Sequence, residues 1–211
     1  MKLNEISKPV LKRLPSYLAY LKALPEDGPA NISATALAAA LNMGEVQVRK
    51  DLALVSDGGR PKVGYLRESL IADLEQFLGY DNTTEAVLIG AGKLGQALLG
   101  YSGFDEYGLE IVAAFDANEE LDGKTESGKP IYSISRLPEF CKERKVLMGI
   151  ITVPAAAAQE VCDLLIANGI KAVWTFAPTH LDVPPQILVQ YENMATSLAV
   201  LSMHLSAQMR G

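Results

Sequence analysis

The chain has few of the residues that mark several large classes of protein. It has only two cysteines in 211 residues, Cys141 and Cys162, and their spacing fits neither a metal site nor a disulfide framework. No apolar run reaches the length needed to cross a membrane, and the polar start, Met1–Pro9, does not resemble a signal peptide. These absences predict a cytoplasmic protein with reduced thiols, no metal site and no membrane contact.

Positive charge is also scarce, and it is unevenly distributed. The chain has a formal net charge of −6, with a net charge of +1 on residues 1–80 and −7 on residues 81–211. The first part can present a local basic surface, whereas the acidic second part is unsuited to a polyanion apart from a phosphate-binding turn. The length fits one large or two small domains, and the apolar fraction of 49% suffices for a sizeable core.

A glycine-rich turn follows an apolar run in the middle of the chain. The sequence Ala-Val-Leu-Ile-Gly-Ala-Gly-Lys-Leu-Gly at 86–95 predicts a buried strand, a G-x-G-x-x-G turn and a helix start. Asp116 closes the next apolar run, about 20 residues after the turn, as in a dinucleotide-binding βαβ unit. The glycines and the helix N-terminus suit a pyrophosphate. Because Asp116 would accept hydrogen bonds from ribose hydroxyls and repel a 2′-phosphate, we expect NAD(H) rather than NADP(H).

Short apolar strands alternate with helices over the rest of the second half. The expected strands are 85–89, 110–115, 146–152, 172–175 and 187–189, and the expected helices are 94–101, 134–144 and 155–168. This alternation predicts an α/β fold with a doubly wound parallel sheet and right-handed crossovers. A last helix, 194–209, has few charges on any face, so we expect it to be buried against its own domain or another subunit.

The first 80 residues predict a small helical domain. Helical periodicity covers 9–24, 34–41, 45–54 and 68–78, and the short turn 42–44 between the second and third helices is typical of a helix–turn–helix. The turn-rich segment 56–65 that follows predicts a β-hairpin wing. We expect Val46, Val48 and Leu52 of the third helix to face the core.

The third helix carries side chains that suit DNA. Gln47 and Arg49 can pair with base edges and Lys50 with phosphates, while backbone contacts are expected from Lys12, Arg13, Arg60 and Lys62. The alternative is that these are ordinary solvated charges, because helix–turn–helix geometry also occurs in proteins that do not bind DNA.

Seven short motifs occur in order along nearly the whole chain. They are Arg13–Tyr20, Val48–Leu52, Val63–Tyr65, Ile89–Gly95, Phe115–Asp116, Val153–Ala155 and Phe176–Pro178. Together they resemble the Rex family of bacterial redox-sensing transcriptional repressors. The resemblance implies a homodimer with an N-terminal winged helix, a Rossmann domain and a terminal helix swapped between subunits. It also implies binding to palindromic operator DNA when NAD+ dominates and release by NADH. The corresponding domains are 1–80, 81–192 and 193–211.

The resemblance also assigns roles to residues. Arg49 and Lys50 match recognition-helix contacts, and Arg60 and Lys62 match wing contacts. The cofactor turn corresponds to Gly90, Ala91, Gly92, Lys93, Leu94 and Gly95, and its ribose acid to Asp116. The nicotinamide side corresponds to Thr152, Val153 and Pro154, with Phe176 and Ala177 close by. A tyrosine that changes position with the cofactor state corresponds to Tyr101.

Two segments depart from the family pattern. The segment Leu54–Gly59 stands where the family usually has an aromatic stretch before the wing. The operator sequence that this protein prefers therefore does not follow from the family. Asn193 stands where the family usually has the aspartate that pairs with the switch tyrosine, so we expect a shallower response to NADH.

Two other functions compete with a repressor. One is a small NAD-dependent oxidoreductase with a helical dimerisation cap, and the other is a nucleotide-dependent scaffold that does not bind DNA. About 130 residues follow position 80, which leaves room for the cofactor fold but not for a substrate domain. His180 is the only plausible acid–base group, and an ordinary loop histidine is the simpler interpretation. We therefore predict a protein that is not an enzyme.

Overall fold

The chain divides into two compact units, Met1–Asn82 and Thr83–Gly211. The computed structural model describes residues 6–80 and 82–210. The first unit has four helices and a two-stranded antiparallel sheet: α1 (Lys8–Ala23), β1 (Asn31–Ile32), α2 (Ala34–Ala40), α3 (Glu45–Val55), β2 (Tyr65–Leu66) and α4 (Arg67–Leu78).

The first unit is a helix–turn–helix, as predicted, but the β-hairpin expected at 56–65 is reduced to a turn closed by one antiparallel bridge between Arg60 and Gly64. Ser33 caps α2 by accepting a hydrogen bond from the Ala36 N–H at 3.0 Å, and Asn42 has a left-handed backbone (φ +52°) in the turn before α3. Apolar side chains from all four helices share one core. The pairing of β1 with β2, which joins the segment before α2 to the end of the wing, was not predicted.

The expectation that Val46 faces the core is wrong, because its side chain is 66% exposed. The buried side of α3 is set by Val48, Asp51 and Leu52, which follow one another at helical spacing. Val46 precedes Val48 by two residues, about 200° around the helix, and so lies on the outer face.

The second unit is a seven-stranded sheet with helices packed on both faces. Its strands are β3 (Thr84–Ile89), β4 (Leu109–Asp116), β5 (Thr125–Glu126), β6 (Lys129–Ser133), β7 (Met148–Ile151), β8 (Ala172–Thr175) and β9 (Leu188–Tyr191). Its helices are α5 (Lys93–Leu99), α6 (Leu137–Glu143), α7 (Ala155–Ala167) and α8 (Met194–Gln208). The strand order is β5-β6-β4-β3-β7-β8-β9, and every neighbouring pair is parallel except β5 with β6.

This order confirms the doubly wound sheet. The chain goes from β3 to β4 and β6 on one side, then crosses to β7, β8 and β9 on the other. The direction of winding reverses between β3 and β7, and a crevice opens there at the carboxyl ends of the strands. Strand β6 was not predicted, since it is short, mostly half-buried and contains Pro130.

Helix α8 differs from the other long helices, because none of its residues is buried. Leu198, Leu201 and Leu205 each expose more than half of their surface. Packing on its own domain, one of the two arrangements considered from the sequence, is therefore not found among the residues that the structure describes. Across all the residues that the structure describes, no helix is both long enough and apolar enough to span a membrane.

Candidate functional site

The glycine turn between β3 and α5 has the geometry that a pyrophosphate requires. Gly90 has φ +103°, and a side chain on Gly95 would overlap the carbonyl oxygen of Gly90. A Cβ on Gly92 would meet no atom within 4 Å, so this position borders open space. No side chain caps the first turn of α5, which leaves its N–H groups available to an anion. Each of the three glycines thus serves a different need.

The Asp116 carboxylate lies at the end of β4, directly beside the glycine turn. It accepts hydrogen bonds from the Ala91 N–H at 2.6 Å and from the Asn118 N–H at 2.8 Å. These two bonds orient the carboxylate, and its remaining lone pairs can accept from the hydroxyls of a ribose. The side-chain amide of Gln96 donates to the Ala91 carbonyl at 2.9 Å and ties the turn to α5.

An apolar cavity of about 310 Å³ adjoins Asp116 and the turn. It brings together the predicted residues Gly90, Gly92, Asp116, Thr152, Val153 and Pro154. The other residues that line the cavity were not predicted as site residues. They are Ile89, Ala117, Ile134, Ala157 and Val161. Ile134 follows the unpredicted strand β6, whereas Ala157 and Val161 are one turn apart on α7. Their apolar side chains suit the flat face of an adenine.

The segments that follow β7 and β8 continue the carboxyl edge of the sheet beyond the glycine turn. The Thr152 hydroxyl donates to the carbonyl oxygens of Gly90 at 2.7 Å and Ile89 at 3.1 Å, so it fixes the crevice rather than facing a ligand. The Phe176 N–H donates to the Ile151 carbonyl at 2.9 Å, and the buried Ala177 follows it.

The remaining predicted cofactor residues lie around α5. Ala91 is buried in the turn, Lys93 is exposed at the first position of α5, and Leu94 is half-buried beside it. The Tyr101 side chain is 55% exposed, and its ring meets Phe104 edge to face at 4.9 Å.

The first unit carries a cationic groove between the start of α2, α3 and the wing. The groove has a volume of about 620 Å³, and Arg49, Arg60 and Lys62 lie along it. Lys12, Gln47 and Lys50 are exposed elsewhere on the same unit. Arg49 also forms an ion pair with Glu45 one turn earlier, and such an exposed pair is weak enough to exchange for another anion.

Arg13 is placed differently from the other predicted DNA contacts. Its Nε donates to Oδ2 of Asp51 at 2.8 Å and its Nη2 to Oδ1 at 3.0 Å, while Gln47 Oε1, with its amide oriented towards the donors, accepts from Nη1 at 2.8 Å. The Tyr17 hydroxyl donates to the same carboxylate at 2.8 Å. Desolvation, together with this bond to Asp51, raises the pKa of Tyr17 to about 12, so the hydroxyl stays protonated. Through these bonds the Arg13 guanidinium of α1 holds α3 in place within the first unit.

The wing is a tight turn from Arg60 to Gly64. The Val63 and Gly64 N–H groups both donate to the Arg60 carbonyl, at 3.2 and 2.9 Å. Pro61 occupies the second position, and Lys62 has φ +67°, a left-handed conformation that a lysine rarely adopts. The strained backbone holds a charged side chain at the tip of the wing, and strain of this kind often marks a functional position.

No functional role was predicted for His180 or for the two cysteines, and their contacts and burial are those of structural residues. His180 Nδ1 lies 3.1 Å from the Tyr191 hydroxyl, and that hydroxyl also bonds to the backbone of Leu181. Cys141 and Cys162 are free thiols, and burial raises the pKa of both. Among the side chains that the structure describes, no group of three or more His, Cys, Asp or Glu could hold a metal ion.

The fold and these two sites define a class: a winged helix–turn–helix unit followed by a Rossmann-type dinucleotide-binding unit. Comparisons with known proteins agree. Residues 5–53 match a model described as a putative DNA-binding protein N-terminus, and residues 81–179 match one described as a CoA binding domain. Coenzyme A and the nicotinamide dinucleotides share an adenosine diphosphate group, which is the part that the glycine turn suits.

Relatives and solved structures identify the family. The redox-sensing transcriptional repressor Rex of Porphyromonas gingivalis is 43% identical over 198 residues, which cover 94% of this chain and 91% of that protein. The crystal structure of RSP with β-NAD+ and operator DNA matches with 32% identity and a TM-score of 0.90, covering 97% of this chain and 94% of that one. RSP with β-NADH matches with 31% identity and a TM-score of 0.86, covering 99% and 97%. The chain belongs to the Rex family of redox-sensing transcriptional repressors.

Proposed function

We propose that this protein is a repressor that binds palindromic operator DNA when NAD+ dominates and leaves it when NADH binds. The observation that carries the proposal is the presence, in one chain, of the cationic groove at α3 and the wing and of the glycine turn with its oriented Asp116. RSP was crystallised with β-NAD+ and operator DNA and separately with β-NADH. A protein that acts on operator DNA works where the chromosome lies, so we place it in the cytoplasm.

The residues of the crevice fit a dinucleotide. Gly90, Gly92 and the first turn of α5 would hold the pyrophosphate, Asp116 the adenosine ribose, and the cavity at Ile134 and Val161 the adenine. The nicotinamide would then lie towards Thr152 and Phe176, with Tyr101 nearby. The cofactor supplies a ring whose charge differs between its two redox states, and the chain responds to that difference.

We further propose that the cofactor acts here as a ligand and not as a hydride donor. Of the five residues predicted on the nicotinamide side, only Thr152 has a polar side chain, and its hydroxyl is already engaged by the turn. His180 bonds to Tyr191 instead of to a carboxylate that could orient it for proton transfer. If this is correct, the absorbance of NADH at its long-wavelength band stays constant while DNA is released.

Helix α8 is the proposed dimerisation element. A helix without Asp, Glu, Lys or Arg that buries no residue on its own chain needs an apolar partner surface, and a second copy of the chain supplies one. Two copies would also present two α3 helices to the two half-sites of a palindrome. NADH then has only to bind a DNA-incompetent arrangement of the dimer more tightly than NAD+ does.

The direct test is a gel shift with a palindromic operator selected from random DNA by this protein. Operator is expected to stay bound with NAD+ and to be released by NADH, without dissociation of the dimer. NADPH serves as the control ligand. A protein that binds the operator equally well with either redox state of the cofactor would refute redox sensing but leave DNA binding intact.

Asp116 gives a separate prediction about the cofactor. The Asp116→Ala variant loses the ribose acceptor and the repulsion of a 2′-phosphate, so NADH binding weakens and the preference over NADPH narrows. Calorimetry on wild type and variant measures both affinities, with Glu119→Ala as a matched control at an exposed acid nearby. Equal affinity of the wild type for NADH and NADPH would contradict the role of Asp116.

A further inference from the structure

Four aromatic side chains form a continuous cluster in the second unit. Tyr101 meets Phe104 edge to face, Phe104 meets Trp174 with ring centroids 5.8 Å apart, and Trp174 meets Phe176 at 4.6 Å. Trp174 is the only tryptophan of the chain, and it lies on β8 with its ring half-buried in this cluster. A displacement of Phe176 therefore reaches Trp174 directly, and a displacement of Tyr101 reaches it through Phe104.

The cluster borders the nicotinamide end of the crevice. Ile89 of β3 is paired with Ile151 of β7, and Ile151 with Thr175 of β8, so these strands end at the same level. The next residues in order across the sheet are Gly90, Thr152 and Phe176. We therefore expect a dinucleotide that begins at Asp116 and crosses the glycine turn to end beside Phe176.

Trp174 also contacts the segment that leads into α8. Its indole Nε1 donates to a carboxylate oxygen of Glu192 at 3.3 Å, and the Gln190 amide donates to the same oxygen at 3.3 Å. The Glu192 N–H donates to the Thr175 carbonyl at 2.9 Å. Asn193 follows as the N-cap of α8, accepting from the Thr196 N–H at 3.0 Å. Beyond this point no residue of α8 is buried, so Glu192 is the last side chain held by the sheet before the helix.

We propose that the Trp174–Glu192 hydrogen bond couples the nicotinamide pocket to the position of α8. Glu192 is a positioning residue, which touches neither cofactor nor DNA and acts through Trp174. A carboxylate–indole bond is directional, so a shift of the ring changes where the root of α8 is held. The inference rests on the proposed function, because it assigns the route by which that switch operates.

Coupling between two ligands is measurable separately from the affinity for either one. The coupling factor is the operator dissociation constant with saturating NADH divided by the constant without cofactor. A merely structural role for Glu192 would change stability or one affinity, whereas a positioning role changes the coupling factor while both single-ligand affinities stay constant. The two single-ligand affinities are the dissociation constant of NADH measured without DNA and that of DNA measured without NADH.

Four variants test the bond from both sides. Glu192→Leu removes the acceptor, and Trp174→Phe removes the donor while it keeps an aromatic ring in the cluster. Glu192→Gln keeps an acceptor without the charge. Gln190→Leu is the matched control, because it removes a neighbouring contact to Glu192 and leaves the indole bond in place.

We expect Glu192→Leu and Trp174→Phe each to reduce the coupling factor by at least about fivefold, with each single-ligand affinity within about twofold of wild type. The double variant should lose no more than either single variant, since both break one bond. Glu192→Gln and Gln190→Leu should retain most of the coupling. In proteins that keep Trp174, its emission should respond to NADH, and Glu192→Leu should change the emission of the free protein.

Three results would overturn the proposal. They are an unchanged coupling factor in Glu192→Leu, additive losses in the double variant, and a large change in NADH affinity alone. A failure of the proposed function is distinguishable, because the wild type would then show no release of operator by NADH in the same assay, although its Trp174 emission still reports NADH binding.

Discussion

Helices α3 and α8 are both accessible to solvent, but they differ in what they expose. The outer face of α3 carries Arg49 and Lys50, while its inner face buries Val48, Asp51 and Leu52. Helix α8 buries nothing and has no Asp, Glu, Lys or Arg. Exposure alone therefore does not identify a partner. The chemistry of the exposed side chains is more informative, since it favours a polyanion for α3 and an apolar protein surface for α8.

The two helices also differ in how they are held. The Asp51 carboxylate joins α3 to Arg13 and Tyr17 of α1 through three hydrogen bonds. Among the described residues, helix α8 is held by its Asn193 cap and by the strand that precedes it. The position of α3 within its unit is thus set inside one chain, whereas the position of α8 depends on what covers it.

A charge on α8 is expected to have the largest effect on the assembly of the protein. Leu201→Glu would place a carboxylate in the proposed dimer interface, and we expect dimer affinity to fall on the order of a hundredfold. Deletion of residues 193–211 should give a monomer or an aggregate. Ala207→Glu is the control, because a spacing of 100° per residue puts it opposite the side shared by Leu198, Leu201 and Leu205. Sedimentation measures the outcome, and a stable, DNA-binding dimer of the truncated chain would refute the role of α8.

The anchoring of α3 is tested by Asp51→Ala. Removal of this carboxylate leaves the partly buried Arg13 guanidinium without its charged partner and the buried Tyr17 hydroxyl without its acceptor, so the first unit should lose about 2 kcal/mol of unfolding free energy. Circular dichroism follows both units, while Trp174 fluorescence reports only the second, so denaturant curves separate them. Asp57→Ala, at an exposed acid, should be neutral. An equal effect of the two substitutions would show that the buried pair does not anchor α3.

The outer face of α3 is tested by Arg49→Ala. A base contact contributes roughly 1–3 kcal/mol per half-site, and a symmetric dimer loses it twice, so operator binding should be abolished at ordinary concentrations. NADH affinity should stay unchanged. Glu45→Ala is the matched variant, because it removes the ion-pair partner and keeps the arginine. An unaltered gel shift with Arg49→Ala would remove α3 from the interface.

The smallest effect is expected at the wing, where stability and binding should change in opposite directions. Lys62→Gly relieves the left-handed lysine and should stabilise the first unit by up to about 1 kcal/mol. It also removes one charge, so operator affinity should fall and its salt dependence should decrease by about one ion per half-site. Lys62→Ala loses the charge without relieving the strain. Unchanged salt dependence in both variants would show that Lys62 does not contact phosphate.

Much of the architecture was predictable because it rests on local patterns. The apolar run, the spaced glycines and Asp116 depend on strand and turn chemistry within about 30 residues, and the structure brings them together as expected. The helix–turn–helix was readable for the same reason. The domain limits 1–80, 81–192 and 193–211 and the roles of the individual site residues stay predictions.

What only the tertiary structure decided involves partners distant in sequence. Lys129–Ser133 became a strand because β4 offered it a parallel neighbour, although its own pattern is weak. Val46 turned outwards because the faces of α3 were chosen by its contacts with the other helices. Arg13 bonds to Asp51, 38 residues away, instead of facing outwards with the other cations. A periodic pattern specifies which residues share a face, but the energy of packing and of satisfying buried polar groups decides where that face points.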